Sequence, residues 1–244
     1  MSAGGGDGAR EAELVAALGA VRARIAAACD AAGRDQRDVT LIAVTKTRPA
    51  GDVAALARLG VRDFGESKDQ EARAKIADLD ALGGMPPVRW HVVGRLQTNK
   101  ARSVTRYAQA VHSVDRVKLA TALADAVATA DREPPLDVFA QVSLDDDPDR
   151  GGVATADLDR LLDMIAGRRE LRLRGVMAVP PMGSDADVQF ARLAELSRQV
   201  RARHHGADAI SAGMSDDFES AVRHGATHVR IGTALLGRRP PVLG

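Results

Sequence analysis

Lys46 closes an apolar run, Leu41 to Val44, in the stretch LIAVTKTRP. A lysine at the end of a buried strand is ordinarily a side chain returning to water, its stem lying on apolar neighbours. The other chemistry open to it is nucleophilic, because an amine whose pKa is lowered by burial or nearby cations condenses with a carbonyl. Arg230 raises a sharper question, since it interrupts the apolar run in HVRIGTALLG. A guanidinium drawn into a fold is costly unless it meets a carboxylate, Glu66 being one candidate, or a bound ligand. Gly232 and Thr233 follow Arg230 directly, and in SAGMSDDFESAV Ser211 and Gly213 precede Met214. Glycines that let the backbone come close, exposed amides and small hydroxyls are the chemistry of a phosphate cradle. Ser215, with Asp216 and Asp217 behind it, reads as a helix N-cap and an acidic first turn. In WHVVGRLQTNK, the residues His91, Gly94, Gln97, Asn99 and Lys100 crowd a strand end and a helix entry at Thr98, where Gly94 permits close approach by a ligand or simply a turn.

These residues need elements to position them. Apolar strand-like runs alternate with amphipathic helical stretches, separated by short Gly, Pro or Asp punctuation. The runs are 39–46, 63–66, 88–94, 110–114, 136–144, 173–179, 209–212 and 229–232, eight in all. Helical spacing appears over 11–32 (Leu14, Leu18, Val21, Ile25), 115–131 (Leu119, Leu123, Val127) and 185–204 (Val188, Leu193, Leu196, Val200). Such alternation implies parallel strands joined by crossover helices, and eight units in roughly 200 residues predict an α/β fold, a single (β/α)8 TIM barrel with an extra N-terminal helix. The alternative, an open doubly wound sheet, lacks its G-x-G-x-x-G fingerprint after the first strand. Residues 1–10, MSAGGGDGAR, read as a disordered tail, and 11–244 as one domain.

The totals exclude several classes. Of 244 residues 45% are apolar but only 2% aromatic, so the core must be built from Ala, Val, Leu and Ile. With 34 basic and 33 acidic side chains the formal charge is +1, which argues against a nucleic-acid footprint or a polybasic membrane surface. The one cysteine, Cys29, falls on the apolar helical stripe and permits no internal disulfide, which fits a reducing cytoplasm. No apolar stretch reaches the length of a transmembrane helix. His204 and His205, like His224 and His228, lack metal-ligand spacing, and no metal is expected.

In a barrel, chemistry sits where strands finish, and the turns after strands seven and eight favour phosphate. One rim would then hold an amine, Lys46, a fixed Arg230 and a cradle of Ser211, Gly213, Met214, Gly232 and Thr233. A phosphorylated carbonyl compound satisfies all three, either a sugar-phosphate aldehyde or pyridoxal 5′-phosphate (PLP).

Six segments in one order carry a resemblance: AVTKTRP, FGESKDQE, WHVVGRLQTNK, HSVD, LRGVMAVP and GMSDDFESAVRHGATHVRIGTALLG. Together they resemble the YggS/PROSC family of pyridoxal phosphate homeostasis proteins over nearly all of 41–237. The resemblance implies a barrel like the N-terminal barrel of alanine racemase, related to fold-type III PLP enzymes, with PLP joined covalently to Lys46 as an internal aldimine. It implies that Arg230 faces the pyridine nitrogen and that Ser211, Gly213, Met214, Gly232 and Thr233 surround the phosphate. Met177, Asn99 and His91 would line the rest of the cofactor. Two segments depart from the family: Ser67-Lys68 stands where Asn-Tyr is frequent, and Arg150 occupies the lysine position of the loop 145–152.

The implied function is intracellular PLP homeostasis, holding and delivering the cofactor in the cytoplasm with little or no turnover and no catalytic residue. Racemisation needs a second acid/base opposite the lysine, and the only tyrosine, Tyr107, falls after the third strand, away from the rim. A guanidinium has only N–H donors and cannot accept from a protonated pyridine nitrogen, so the ring nitrogen stays unprotonated and is a weaker electron sink. A low-activity racemase or eliminase is the alternative, and a cofactor-free Schiff-base aldolase the next. Expected partners are PLP and apo PLP-dependent enzymes, without nucleic acid or membrane. The chain is expected as a monomer, with a dimer as the alternative.

Overall fold

The computed structural model describes residues 4–130, 132, 135–145, 147 and 151–237, and the side chains from residue 8 onward. Arg150 and the tail 238–244 lie outside the described residues. Eight parallel strands close into a barrel in chain order: β1 (Thr40–Val44), β2 (Asp63–Glu66), β3 (Arg89–Val92), β4 (Ala108–Val114), β5 (Leu136–Gln141), β6 (Leu171–Met177), β7 (Ala209–Ser211) and β8 (His228–Ile231). The seam is sealed by the pairing of β1 with β8, Ala43 opposite Ile231. The predicted (β/α)8 barrel with its N-terminal helix is what the chain builds. No helix among the described residues is long and apolar enough to cross a membrane.

Around the barrel run α1 (Gly4–Ala31), α2 (Ala50–Arg58), α3 (Asp69–Leu82), α4 (Ala101–Val104), α5 (Val117–Ala128), α6 (Thr155–Ala166), α7 (Ala186–Arg203), α8 (Phe218–Arg223) and α9 (Thr233–Leu236). α1 buries Leu14, Leu18, Val21, Ile25 and Cys29, the predicted stripe, against α8 and α9. Its helix begins at Gly4 rather than after residue 10. Arg10 explains how the first turns are held: its guanidinium pairs with the buried Asp52 of α2 at 2.7 Å and also donates to the Leu236 carbonyl. α7 starts one residue after its cap, Asp185, which accepts from the N–H groups of Asp187 and Val188.

Most of the apolar core lies between sheet and helices. The barrel interior is different. Ala110, Phe139, Met177 and Ala209 form a small separate apolar cluster. Beside it lie the buried polar side chains Asp63, His91, His112, Ser211 and Arg230. A barrel lumen can hold such groups only if each finds a hydrogen-bond partner there, and this requirement shapes the site.

Candidate functional site

β1 stops at Val44, two residues short of the predicted strand end, because Thr45 to Arg48 turn sharply, the Arg48 N–H returning to the Thr45 carbonyl at 3.0 Å. Lys46 stands exposed in this turn at the carboxyl rim. The residue after it, Thr47, has φ of 65°, a left-handed conformation that a β-branched residue rarely adopts. A buried network holds the turn on both sides of Lys46. The Thr45 hydroxyl donates to Glu66 at 2.6 Å, and Lys75 of α3 donates to the Thr45 carbonyl at 2.8 Å and to Glu66 at 2.5 Å. Glu71 accepts from the Thr47 N–H and pairs with Lys75 at 3.3 Å. Burial pushes the Glu66 carboxyl upward against the opposing pull of Lys75 and Thr45. Its second oxygen, Oε2, is buried without a hydrogen-bond partner.

Glu66 is therefore not the partner of Arg230, and the ion pair considered from sequence does not form. Arg230, 5% exposed, donates to Ser211 Oγ at 2.7 Å and to the Ala178 carbonyl at 3.1 Å. Among the described residues it has no carboxylate partner. Burial lowers it to about 10, with the charge of Asp217 pulling the other way, so it stays a cation at neutral pH.

Ser211 passes the constraint inward. Its oxygen lies 2.8 Å from His112 Nδ1, His112 Nε2 lies 2.9 Å from His91 Nδ1, and His91 Nε2 lies 2.9 Å from the Asp63 carboxylate. Arg89 closes the chain with two bonds to Asp63, 2.7 and 2.6 Å. Donor and acceptor roles follow by elimination. Asp63 only accepts, so His91 donates from Nε2, and a singly protonated His91 accepts on Nδ1. His112 must then donate from Nε2 and accept from the Ser211 hydroxyl, which leaves the Ser211 oxygen free to accept from Arg230. Burial holds His112 well below the usual histidine range and so neutral, as this arrangement needs. Burial alone would raise Asp63, but the bonds from His91 and Arg89 outweigh it and hold the carboxyl at about 2.

The residues expected to form a cradle lie at adjacent strand ends. Met177 of β6 pairs with Ser211 of β7, and the Arg230 N–H of β8 donates to the Gly213 carbonyl at 2.9 Å. Gly213 has φ of 91°, and a Cβ there would come within 2.8 Å of Phe218 Cα, so glycine is required for the turn to pass under α8. Thr233 opens α9, so its N–H has no acceptor within the helix. Lys46, Arg230, Gly232, Thr233, Ser211, Gly213, Met214 and Met177 thus come from four successive strands, β1, β8, β7 and β6, at one end of the barrel.

Several residues differ from expectation. Ser215 does not cap the helix that follows it, which begins only at Phe218; its hydroxyl accepts from the Ala234 N–H of α9 at 3.1 Å. Asp217 instead accepts from the Met214 N–H at 2.6 Å, so a carboxylate holds one of the amides assigned to the cradle. Ser211 is fully buried and occupied by Arg230 and His112. His91 points along the interior toward the opposite, amino-terminal mouth, where it lines a cavity of about 610 Å3 with Asp63, Arg89 and His228. Asn99 is exposed on the single 3-10 turn Thr98–Lys100. Gly94 serves chain packing: a Cβ there would lie 2.5 Å from the Ser67 carbonyl. Tyr107 precedes β4 and packs against the outer core, and burial with the charge of Asp69 pushes its phenol upward. Sequence reasoning missed Lys75, Glu71 and His112. For Lys75 a signal existed, since it shares the inward stripe of α3 with Ala72 and Leu79.

A closed barrel of eight parallel strands places the chain in the class of (β/α)8 barrels. The family model for the alanine racemase N-terminal domain matches residues 17–240, and the chain belongs to that family. Within it, the chain is 48% identical over 243 residues, covering 94% of each chain, to the pyridoxal phosphate homeostasis protein of Mycobacterium tuberculosis. Among solved structures it is similar to PipY of Synechococcus elongatus with PLP bound (TM-score 0.74, 35% identity, 82% of this chain and 93% of that one). The alanine racemase of Corynebacterium glutamicum, at 17% identity and a TM-score of 0.64 over 93% of this chain and 63% of its own, shares the fold.

Proposed function

We propose that the chain binds PLP at the carboxyl mouth of the barrel, attaches it covalently through Lys46, and serves PLP homeostasis by holding and delivering the cofactor. The observation that carries this reading is Arg230, a buried cation met by a hydroxyl and a carbonyl and by no carboxylate among the described residues. The residues fit the group. Arg230 would hold the pyridine nitrogen, and Gly213, Met214, Gly232 and Thr233, with Ser211 behind them, would receive the phosphate. Met177 and Asn99 complete the set. For Met214 to contribute its amide, Asp217 must release it, and burial already disfavours the charged form of that carboxylate. When bound, the cofactor would supply an aldehyde that amines exchange onto and off.

Little or no turnover follows from the same residues. Arg230 offers the ring nitrogen only N–H donors, which would leave that nitrogen unprotonated and the ring a weaker electron sink. Tyr107 is packed outside the barrel, and the acids beside the Lys46 turn are engaged, Glu66 by Lys75 and the Thr45 hydroxyl and Glu71 by Lys75 and the Thr47 N–H. The relatives' names and the PLP-bound neighbour support the binding reading. Apo PLP-dependent enzymes would be the recipients and the cytoplasm the setting.

Borohydride reduction of the PLP-loaded protein followed by peptide mapping should place the label on Lys46, and Lys46→Ala should abolish it. Label on Lys68, Lys100 or Lys118 instead would refute the site. Exchange of an amino acid α-hydrogen in deuterated water would refute the absence of turnover.

A further inference from the structure

The loops after β2 and β3 border an open cavity of about 590 Å3 that none of the mouth residues line. Buried Val92 and Leu96 supply its apolar lining. Its charged residues are Lys68, Arg95, Lys100 and Arg116 against a single acid, Asp69. Asp69 is already engaged, accepting from the Ser103 hydroxyl at 2.7 Å and lying 3.9 Å from Arg73. Arg116 is likewise engaged, paired with Asp115 and donating to the Leu96 carbonyl. The side chains of Lys68, Arg95 and Lys100 make no ion pair or hydrogen bond among the described residues. In a chain whose formal charge is only +1, three uncompensated cations around one cavity are a local concentration of charge.

The cavity is also pre-formed. Its two loops abut at Gly94 and Ser67, and the Ser113 hydroxyl fixes the Gly94 carbonyl at 2.7 Å. α3 begins at the same edge without a side-chain cap, which adds open N–H groups to the positive side. The volume is that of a site for a compact organic molecule.

We propose that this cavity is a second ligand site, one that takes an organic phosphate. The phosphate sits among Lys68, Arg95 and Lys100, and a flat apolar body lies against Val92 and Leu96. The combination separates it from a site for a bare inorganic anion, which would have no use for the apolar lining. It is independent of the Lys46 reading, since the two sites share no residue.

Calorimetric titration of the full chain with AMP and with inorganic pyrophosphate tests this. AMP should bind at least as tightly as pyrophosphate despite carrying less charge, and both should weaken as salt rises. The double variant Lys68→Glu/Lys100→Glu changes two exposed side chains. It should keep the wild-type circular dichroism and lose about tenfold in affinity for each reversed charge. Failure of both ligands to bind, or affinity unchanged in the double variant, would overturn the proposal. Binding of pyrophosphate without AMP would overturn its organic part. None of these outcomes bears on whether Lys46 takes up PLP.

Discussion

Lys75→Met removes the cation from the buried network that holds the Lys46 turn while keeping most of the side-chain volume. Lys75 is 4% exposed and Glu66 is 1% exposed, so neither charge can be rescued by solvent without rearrangement. Breaking a buried pair by deleting one partner costs about 3–5 kcal/mol, because the remaining charge is left uncompensated. The Thr45 carbonyl loses its 2.8 Å donor as well. For a domain of this size that predicts a fall in Tm of roughly 6–20 °C. The cost depends on pH, with a definite sign. Burial already raises Glu66 above its ordinary value of 4.5, and without Lys75 it rises further. A carboxyl whose folded pKa is raised is destabilising wherever the unfolded chain would ionise it. The penalty is therefore full above the raised pKa, and it fades as pH falls from there toward the ordinary carboxylate range. Urea unfolding at a series of pH values reads both features. The double variant Lys75→Met/Glu66→Gln should recover most of the loss, because it removes the stranded charge and leaves an amide for Thr45. Borohydride capture of PLP at Lys46 should be slower in the single variant than in the wild type. A loss under about 1 kcal/mol that does not vary with pH, or a double variant no more stable than the single, would refute the reasoning.

Three further perturbations probe the interior and the turn. His112→Phe leaves the Ser211 hydroxyl and His91 Nδ1 without partners and should cost about 1–3 kcal/mol for each unsatisfied group, with His112→Gln costing less, as urea midpoints would show. Asp63 is held at about 2, so it contributes stability that is present above its ordinary value near 4 and lost as pH falls through 2; Asp63→Asn should flatten the acid limb of the stability curve between those values. Thr47→Gly relieves the left-handed strain and should stabilise the fold by about 0.5–1 kcal/mol after the entropy of the freed chain is counted, while slowing capture at Lys46.

The eight strands were legible because each is a short apolar run bounded by Gly, Pro or Asp, and parallel strands buried on both sides leave that pattern in sequence. Strand ends were less so. β1 was read through to Lys46, because nothing in the residue types of Thr45-Lys46-Thr47 announces that Lys75 and Glu71, more than twenty residues on, bend the chain there. Ser215 shows the same limit from the other side. Its type is that of a cap and it is a cap, but for α9, whose Ala234 lies nineteen residues away. The glycines at 94 and 213 were recognised as places of close approach, whereas the approaching party, Ser67 backbone in one case and Phe218 in the other, is decided by the packing of the loops.

The charged groups of the site divide along a similar line. Glu66 and Arg230 are both buried ions near the carboxyl rim, and from sequence they were plausible partners. The structure gives Glu66 to Lys75 and leaves Arg230 with Ser211 and the Ala178 carbonyl, neutral acceptors that orient the guanidinium without cancelling its charge. A carboxylate on Arg230 would have offset more of its desolvation, yet it would also have occupied the side from which the proposed ligand would approach. The chain His112–His91–Asp63 fixes Ser211 beside Arg230, and its carboxylate lies at the far end of the lumen, paired with Arg89. The barrel thus bears a cation met by a hydroxyl and a carbonyl, and a ligand bound to it as proposed would stabilise the fold by mass action, about 2.7 kcal/mol at a free concentration one hundred times Kd. On the proposed function, binding and folding stability would be tied to the same arginine.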